Sequence, residues 1–451
     1  MKAIRRHEVA WLCGAAIALL SAGCTSLVGL EGDYHVASTG EGGSGGAGGT
    51  ITTGGSGGAG GTLTTGSSSA GAGGAGGTGG AGGAGGTGGS GGAGGPPCVH
   101  IDNPFSQHLD YDVEPGPFAV VAADLDGDEL PELVSANLGT FTGYTVSILP
   151  GAGSGTFGLK NNFEVALGPI GVAAADLDDD GDLDLVTANL NSDNASVLLN
   201  PGNGIFSDHV EFWTGDNPTS VALADFNGDG AADIATANNQ SKDITVLLNS
   251  GNGNFQGKKH HPIGDLPVFV AAADLSGDGK PDLVGLYGDL NGKAAVLFGN
   301  GDNTFAPQAD YPVGPDPRSV AIADLDGDGK LDLAVTSNGD KVVSVLLNYG
   351  AGTFHRRVDY EVLEAPSSVA AADLNGDGKI DLAVVSSTLS KVSLLMNDGN
   401  GTFAPKIDYD SGGEPSWVFA GDLNGDGSAD LATANQGSAS VSVWINSCDH
   451  P

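Results

Sequence analysis

The chain of 451 residues contains 78 glycines and carries a formal net charge of −38, with 55 Asp and Glu against 17 Lys and Arg. Because nucleic acids are held largely by cationic contacts to their phosphates, this balance argues against a nucleic-acid partner. The 4 cysteines, at positions 13, 24, 98 and 448, are spread too widely for a zinc site or a redox centre, and their distribution is typical of an exported protein with one disulfide.

Residues 1–23 are predicted to be an export signal. Lys2, Arg5 and Arg6 precede a short apolar run that small residues close, which is the order of parts in a secretory signal, and the run is too short for a comfortable membrane span. Its end, Leu20-Ser-Ala-Gly-Cys24, resembles a bacterial lipobox, although Ser21 stands where a large aliphatic residue is usual. The resemblance implies lipidation of Cys24 and, because Thr25 replaces the Asp that often marks inner-membrane retention, a place in the outer membrane or on the cell surface. Simple secretion is the alternative.

Residues 24–97 are predicted to be a disordered tether. From 40 to 95 the chain consists of Gly-Gly-Ala, Gly-Gly-Thr and Gly-Gly-Ser units, which bury too little apolar surface to offset the entropy of ordering. Collagen needs proline and an unbroken glycine period, and both are missing. About 56 flexible residues have a root-mean-square span of roughly 40 Å, enough to hold a domain clear of a membrane.

Residues 98–451 contain an internal repeat that predicts the fold. An acidic nine-residue loop such as Asp324–Asp332 recurs seven times, at intervals of 49 to 52 residues. Each repeat has four short runs of β-branched and aliphatic residues separated by Gly, Asn and Asp turns, and no longer segment shows a helical period. We therefore predict an all-β fold, a seven-bladed β-propeller of four-stranded blades. The first run of each repeat is rich in alanine, which suits strands crowded around a central axis.

The two ends of the repeat predict how the ring closes. The chain stops after the third strand of the last repeat, Ser440–Asn446, and the segment Phe105–Tyr111 matches the fourth strand of the repeat before it. An N-terminal strand therefore completes the last blade and leaves no open edge. Cys98 and Cys448 stand beside these two strands, so we expect a disulfide between them, in preference to two free thiols in an exported chain.

The seven acidic loops, numbered 1 to 7 in chain order, are predicted to bind Ca²⁺, one ion in each and up to seven in all. Oxygen ligands are those that Ca²⁺ prefers, and position 7 of each loop would add a backbone carbonyl. The predicted ligands at positions 1, 3, 5 and 9 are, from loop 1 to loop 7, Asp124, Asp126, Asp128 and Glu132; Asp176, Asp178, Asp180 and Asp184; Asp225, Asn227, Asp229 and Asp233; Asp274, Ser276, Asp278 and Asp282; Asp324, Asp326, Asp328 and Asp332; Asp373, Asn375, Asp377 and Asp381; and Asp422, Asn424, Asp426 and Asp430.

The loops differ from EF-hands and from one another. An EF-hand needs a Glu at position 12 and flanking helices, whereas position 12 of loop 5 is Val335, inside a predicted strand. Loop 1 is expected to bind most weakly, because Glu129 stands at a sharp turn where the other loops have Gly. We expect the ions to be structural, replacing what a larger apolar core would supply.

Residues 103–447 resemble FG-GAP or VCBS repeats, the units of the seven-bladed propeller of integrin alpha subunits. The resemblance rests on the Asp-x-(Asp/Asn)-x-Asp-Gly-x-x-Asp loops, as in Asp324–Asp332, and on the Gly-x-Phe that follows downstream, as in Gly352-Thr-Phe354. It implies bound Ca²⁺ and an extracellular binding role, commonly adhesion or carbohydrate recognition. Integrin propellers carry such loops in some blades only, whereas all seven are present in this chain.

The sequence favours a monomeric cell-surface binding or adhesion module over an enzyme. No nucleophile elbow, phosphate loop or His-rich metal site appears, and the acidic loops account for the Asp residues that a glycosidase would need. A lectin-like propeller is the main alternative, and a polysaccharide-active enzyme or a structural surface-layer component is less favoured. The stretches that vary between repeats join strands two and three and are polar, and Trp213 and Trp417 are candidates either to stack on a sugar or to pack in the core. The variable stretches lie at 138–144, 189–194, 286–291 and 386–390.

Overall fold

Seven antiparallel sheets of four strands each make up the part of the chain that the structure describes. This structure is a computed structural model, and it describes residues 104–105, 107–139, 144–288 and 290–446. The predicted export signal and tether, and with them Cys13, Cys24, Cys98 and Cys448, lie outside the described residues. Over the described ranges the chain forms strands and turns without an α-helix, so no helix there is long enough to cross a membrane.

The 28 strands are numbered in chain order, and each blade takes its strands in sequence. Blades 1 to 3 are β2 (Pro117–Ala123), β3 (Glu132–Asn137), β4 (Thr145–Leu149) and β5 (Asn161–Glu164); β6 (Pro169–Ala175), β7 (Asp184–Asn189), β8 (Asn194–Leu198) and β9 (Val210–Trp213); and β10 (Pro218–Ala224), β11 (Asp233–Asn238), β12 (Asp243–Asn249) and β13 (Phe255–Pro262).

Blades 4 to 7 follow the same plan, except that the last takes its outer strand from the start of the chain. They are β14 (Phe269–Ala273), β15 (Asp282–Tyr287), β16 (Lys293–Leu297) and β17 (Ala309–Pro312); β18 (Pro317–Ala323), β19 (Asp332–Ser337), β20 (Val342–Leu346) and β21 (Val358–Glu361); β22 (Pro366–Ala372), β23 (Asp381–Ser386), β24 (Lys391–Leu395) and β25 (Ile407–Asp410); and β26 (Pro415–Gly421), β27 (Asp430–Asn435), β28 (Ser440–Trp444) and β1 (Leu109–Asp112).

The blades form a closed ring, which confirms the predicted seven-bladed propeller. The first strands of successive blades contact one another in order, and β26 of blade 7 returns to contact β2 of blade 1. Second and third strands are almost wholly buried, whereas fourth strands are mostly exposed. The apolar core lies between blades: one cluster joins Val134 and Val146 of blade 1 to Val172 and Leu185 of blade 2, and similar clusters follow around the ring.

The N-terminal strand closes the last blade, as the repeat ends predict. β1 pairs antiparallel with β28, from Leu109 opposite Val443 to Asp112 opposite Ser440. A further bridge joins Phe105 to Asn446. This pairing covers the edge of β28, which would otherwise present unpaired backbone groups. The expected Cys98–Cys448 disulfide stays a prediction, because both residues lie outside the described ranges.

An aromatic pair spans the middle of the ring. Trp417 on the first strand of blade 7 stacks on Phe269 at the first strand of blade 4, with ring centroids 5.7 Å apart and an interplanar angle of 23°. Trp417 also packs against the core clusters of three different blade pairs. Of the two roles that the sequence leaves open for Trp417, the structure therefore favours packing.

Candidate metal centres

All seven acidic loops lie on one face of the ring, because each connects the first strand of its blade to the second. Position 1 directly follows the first strand, and position 9 is the first residue of the second strand, as Asp324 and Asp332 show in blade 5. The strand geometry thus fixes both ends of the loop, and positions 2 to 8 form the turn between them.

The carboxylate at position 1 organises this turn. In loop 5, Gly327 donates its backbone N–H to Asp324 Oδ1 and Gly329 donates to Asp324 Oδ2, both at 2.8 Å. Bonds from positions 4 and 6 to position 1 occur in each of the other loops as well. The turn wraps around the first aspartate, which places the later oxygens near it.

Two of these turns force a side chain into a left-handed backbone conformation. At position 6, Glu129 of loop 1 has φ 70°, where the six other loops have glycine. At position 4, Asp179 of loop 2 has φ 62°, again where the other loops have glycine. Glutamate is disfavoured in this region, and aspartate tolerates it better. The strain expected at Glu129 therefore has a structural basis, whereas the similar conformation at Asp179 is one that sequence reasoning missed.

The carboxylate at position 9 is buried and joins three segments. In loop 5, Asp332 accepts the N–H of Leu325, at position 2, and the N–H of Asn348, just after the third strand, at 2.8 and 2.7 Å. The equivalent bonds measure 2.7–3.1 Å in all seven blades.

Burial raises the pKa of these position-9 carboxyls, against the lowering effect of their backbone hydrogen bonds. The pKa rises to about 6 for Asp184, Asp332 and Asp430 and to about 7 for Asp233 and Asp381. It is also raised for Glu132 and Asp282. Neighbouring carboxylates add to the effect in each loop. A negative charge that is buried here and repelled by its neighbours is one that a cation would stabilise.

In three loops the structure brings the predicted ligands at positions 1, 3 and 9 together. Their carboxylate oxygens lie within 4.8 Å of one another in the groups Asp124, Asp126 and Glu132; Asp176, Asp178 and Asp184; and Asp324, Asp326 and Asp332. In loop 2, the Oδ1 atom of Asp178 is buried without a hydrogen-bond partner, and burial raises the pKa of that carboxyl. These oxygen-only groups can hold a hard metal ion.

The other four loops have a neutral oxygen at position 3, which is Asn in loops 3, 6 and 7 and Ser276 in loop 4. The position-5 aspartates, also predicted ligands, are not among the three gathered groups. In loops 4 to 6 they pair with a lysine at position 7: Asp278 with Lys280 at 3.5 Å, Asp377 with Lys379 at 3.2 Å, and Asp328 with Lys330.

Sequence reasoning missed five asparagines that support the loops. Each lies at the end of the third strand of its blade or just after it, is almost fully buried and looks in the sequence like an ordinary turn residue; they are Asn200, Asn249, Asn348, Asn397 and Asn446. The Nδ2 atom of each donates to the carbonyl of position 8 in its own loop, at 2.7–3.1 Å. Comparing the repeats at this position would have revealed them.

The opposite face of the ring carries the connections between second and third strands. There, Trp213 is 64% exposed at the end of β9 and pairs with Asn194, the first residue of β8. The turn beside it holds Ser192 and Asp193, and the backbone carbonyl of Asp193 accepts the N–H of Thr214. An exposed aromatic ring beside polar groups is thus part of this face, which the acidic loops do not reach.

Comparisons with known proteins agree with this architecture. The model of the family described as FG-GAP-like repeat matches six overlapping segments, residues 124–187, 176–236, 225–285, 274–335, 324–384 and 373–433. No protein among the curated sequences matches the chain.

Three solved structures illustrate the range of proteins with a similar fold. Virginiamycin B lyase from Staphylococcus aureus has a TM-score of 0.52 at 11% identity, over 75% of this chain and 99% of that one. BBS1N, solved in complex with ARL6DN, has a TM-score of 0.53 at 13% identity, over 77% and 100%. A lectin from Agrocybe aegerita that recognises terminal N-acetylglucosamine has a TM-score of 0.49 at 22% identity, over 73% and 86%. At such identities the likeness concerns the fold alone.

Proposed function

This chain belongs to the FG-GAP-like repeat family, and on that premise we propose that it is a calcium-stabilised binding or adhesion module that acts outside the cell. The observation that carries the proposal is the structural difference between the two faces of the ring. Acidic loops of nearly constant design occupy one face, and the connections that vary in length and composition occupy the other.

Calcium is the metal that suits the acidic loops best. Their donors are carboxylate, amide, hydroxyl and carbonyl oxygens, with no nitrogen or sulfur ligand among them, and Ca²⁺ accepts six to eight such oxygens in flexible geometry. Up to seven ions, one for each blade, would offset the buried carboxylates at position 9. When bound, the ion supplies positive charge and coordination to the loop, and the residues at positions 1, 3 and 9 would hold it.

The variable face is the proposed ligand-binding surface. It combines the exposed ring of Trp213 with the polar turn Asn191–Asn194 beside it. Recognition surfaces are rich in Trp and Tyr, which bring large contact area at low entropic cost. The ligand would be an extracellular protein or glycan, bound by a monomer, and no catalytic role is proposed for any residue.

Carbohydrate is a second candidate ligand class, favoured by the exposure of Trp213. An indole face stacks on the apolar face of a sugar ring, while Asn, Ser and Asp side chains bond to its hydroxyl groups. This variant of the proposal makes the propeller lectin-like, whereas the main proposal makes it a protein-binding adhesin.

A place at the cell surface is part of the proposal, supported by the sequence of residues 1–24, which predicts an export signal. Lipidation of Cys24 would anchor the chain in the outer membrane, and secretion without an anchor is the alternative. Metabolic labelling with a fatty-acid analogue tests this: the label should enter the wild-type chain and be lost in Cys24→Ser. Equal labelling of both chains would contradict the assignment of Cys24.

The binding proposal is tested with the calcium-loaded full chain on a glycan array and in a cell-adhesion assay. Trp213→Ala should reduce binding in whichever assay gives a signal, by about tenfold for the loss of a central aromatic contact. Ile205→Ala is the matched control, because Ile205 is 63% exposed but lies in the connection at the acidic-loop face. Binding that Ile205→Ala removes and Trp213→Ala leaves intact would place the ligand on the wrong face for this proposal.

A further inference from the structure

The buried asparagines after the third strands connect the acidic loops of neighbouring blades. In blade 5, Asn348 donates its backbone N–H to Asp332 Oδ1 at 2.7 Å, and its Nδ2 donates to the carbonyl of Leu331, at position 8 of the same loop, at 3.0 Å. The same Nδ2 donates at 2.9 Å to the carbonyl of Leu275, which is position 2 of the loop of blade 4. One side chain is therefore bonded to two metal loops.

This bridge recurs wherever the asparagine is present. The Nδ2 of Asn200, Asn249, Asn348, Asn397 and Asn446 reaches the position-2 carbonyl of the preceding blade's loop at 2.7–2.9 Å. All five residues are buried, with 1–4% of their surface exposed. A buried amide that bonds to two carbonyls helps to hold both in place, because losing it would remove one hydrogen bond from each.

Blades 1 and 4 lack the bridge, and their acidic loops share a second difference from the other five. Gly151 and Gly299 replace the asparagine, and in both blades position 8 is proline, Pro131 and Pro281. A Cβ on Gly151 would lie 2.9 Å from the carbonyl oxygen of Pro131, and one on Gly299 would lie 2.2 Å from that of Pro281. Proline and glycine thus occur together in these two blades, and neither glycine can carry a bridging side chain.

A backbone contact between neighbouring blades is present in linked pairs and also in the unlinked pair of blades 3 and 4. The N–H of Asn303 in blade 4 bonds to the carbonyl of Phe226 in loop 3 at 2.9 Å, and Gly401 in blade 6 bonds to Leu325 in loop 5 at 3.0 Å. The difference between the pairs is therefore the asparagine side chain, which alone contacts both loops directly.

We propose that the seven metal loops act as two coupled series, loops 1 to 3 and loops 4 to 7, with the asparagines as positioning residues between members. The inference rests on the proposed calcium binding. An ion bound in one loop orders position 9 and position 8 of that loop, and the asparagine passes this order to position 2 of the loop before it. Such a shared element couples the affinities of two sites reciprocally. The series ends where glycine replaces the asparagine, between loops 3 and 4 and between loops 7 and 1.

Hydrogen exchange of the full chain is measured by mass spectrometry as a function of Ca²⁺ concentration. For each loop separately, it gives the Ca²⁺ concentration at which half of the protection is gained, which is the midpoint of that loop. Asp324→Asn disables loop 5 at a half-buried position-1 carboxylate. It should raise the midpoints of loops 4 and 6 by about fivefold and leave that of loop 3 unchanged. Asp225→Asn in loop 3 should raise the midpoint of loop 2 and leave that of loop 4 unchanged.

Removing one bridge should uncouple one pair. In Asn249→Ala, disabling loop 3 should no longer shift the midpoint of loop 2. The matched control is Asn238→Ala, because Asn238 is also buried in blade 3 but its side chain bonds only to Thr236, Asp243 and Thr245 of the same blade. The control should lose stability comparably and keep the coupling. The Asp variants do not touch the bridges, so they test the series even if Asn249→Ala fails to fold.

Three results would overturn the proposal. Midpoints that respond only in the altered loop would mean independent sites, and midpoints that all shift together, across loops 3 and 4 as well, would mean one cooperative ring; calcium binding would stand in both cases. If no loop gains protection from Ca²⁺ in the wild-type chain, calcium binding itself is wrong and the coupled series is wrong with it.

Discussion

At the residue scale, the acidic loops combine strained backbone conformations with closely spaced negative charges. The turn needs left-handed conformations at positions 4 and 6, which glycine supplies in most loops. Loop 1 uses Glu129 at position 6 with φ 70°, so it stores strain that loops 3 to 7 avoid. Asp179 in loop 2, at φ 62°, adds a further negative charge to a group that already holds three gathered carboxylates.

Replacing Glu129 with glycine should therefore stabilise the protein. Relief of the left-handed strain contributes on the order of 1 kcal/mol, measured as a shift of the urea midpoint in saturating Ca²⁺. Glu129→Ala is the matched control, since it removes the same charge but keeps a Cβ in the strained conformation. If the two variants gain equally, the loss of charge is responsible for the gain, and relief of backbone strain is not.

The position-9 carboxyls predict how stability depends on pH when the metal is removed. Their pKa in the folded chain is about 6 to 7 for five of the seven, against about 3.9 in an unfolded chain. The folded state then binds more protons, so stability contributed by these groups is present at low pH and is lost as pH rises from about 4 through about 7.

In chelator, the urea midpoint should accordingly fall between about pH 5 and about pH 8. In excess Ca²⁺ the urea midpoint should instead rise between the same two pH values, because the ion binds the ionised carboxylates and protons compete with it. The two titrations, followed by tryptophan fluorescence, differ only in the metal. A midpoint in chelator that rises over this range would show that burial does not govern these carboxyls.

At the scale of the element, the repeat period and the alternation of short apolar runs were enough to predict four strands per blade, seven blades and the closing strand. Each of these depends on local pattern: Asp at the end of a first strand, Gly in the turn, branched residues in the strands. The asparagine bridges could not be read in this way. Asn348 looks like an ordinary turn residue, and its partner Leu275 is 73 positions away, in a contact that only the packing of blades creates.

The closing strand β1 should be essential for a stable, monomeric ring. Without it, β28 becomes an open edge, and Trp444, which is 1% exposed and packs against His108 with ring centroids 5.0 Å apart, loses its cover. A chain that begins at residue 113 should melt at a lower temperature and associate with rising concentration, because unpaired edges recruit further strands. Thermal unfolding and analytical ultracentrifugation measure the two effects.

The matched control for this truncation is a chain that begins at residue 104 and therefore keeps β1 and Phe105. It should behave as a monomer with the stability of the closed ring. If the chain from 113 is equally stable and monomeric, β1 is dispensable and the contacts of β2 with β26, β27 and β28 are enough to hold the ring closed.

At the scale of the whole molecule, the charge of −38 gives the acidic loops a role beyond local geometry. Self-repulsion destabilises a compact state of such high charge, and the seven loops concentrate much of that charge on one face of the ring. Two positive charges in each loop would reduce the net charge to about −24. Bound metal should therefore stabilise the ring both by coordination and by lowering this repulsion.

Salt separates these two contributions. Chelator should lower the melting temperature substantially, and adding about 1 M NaCl to the chelated chain should restore part of the loss, since the screening length falls to about 3 Å. Salt cannot supply coordination, so the remainder should return only with Ca²⁺. Differential scanning calorimetry in chelator, in chelator with salt, and in Ca²⁺ measures each part. No response to chelator would contradict the structural role of the metal, and full recovery with salt alone would reduce that role to charge neutralisation, leaving the oxygens at positions 1, 3 and 9 without a coordinating function.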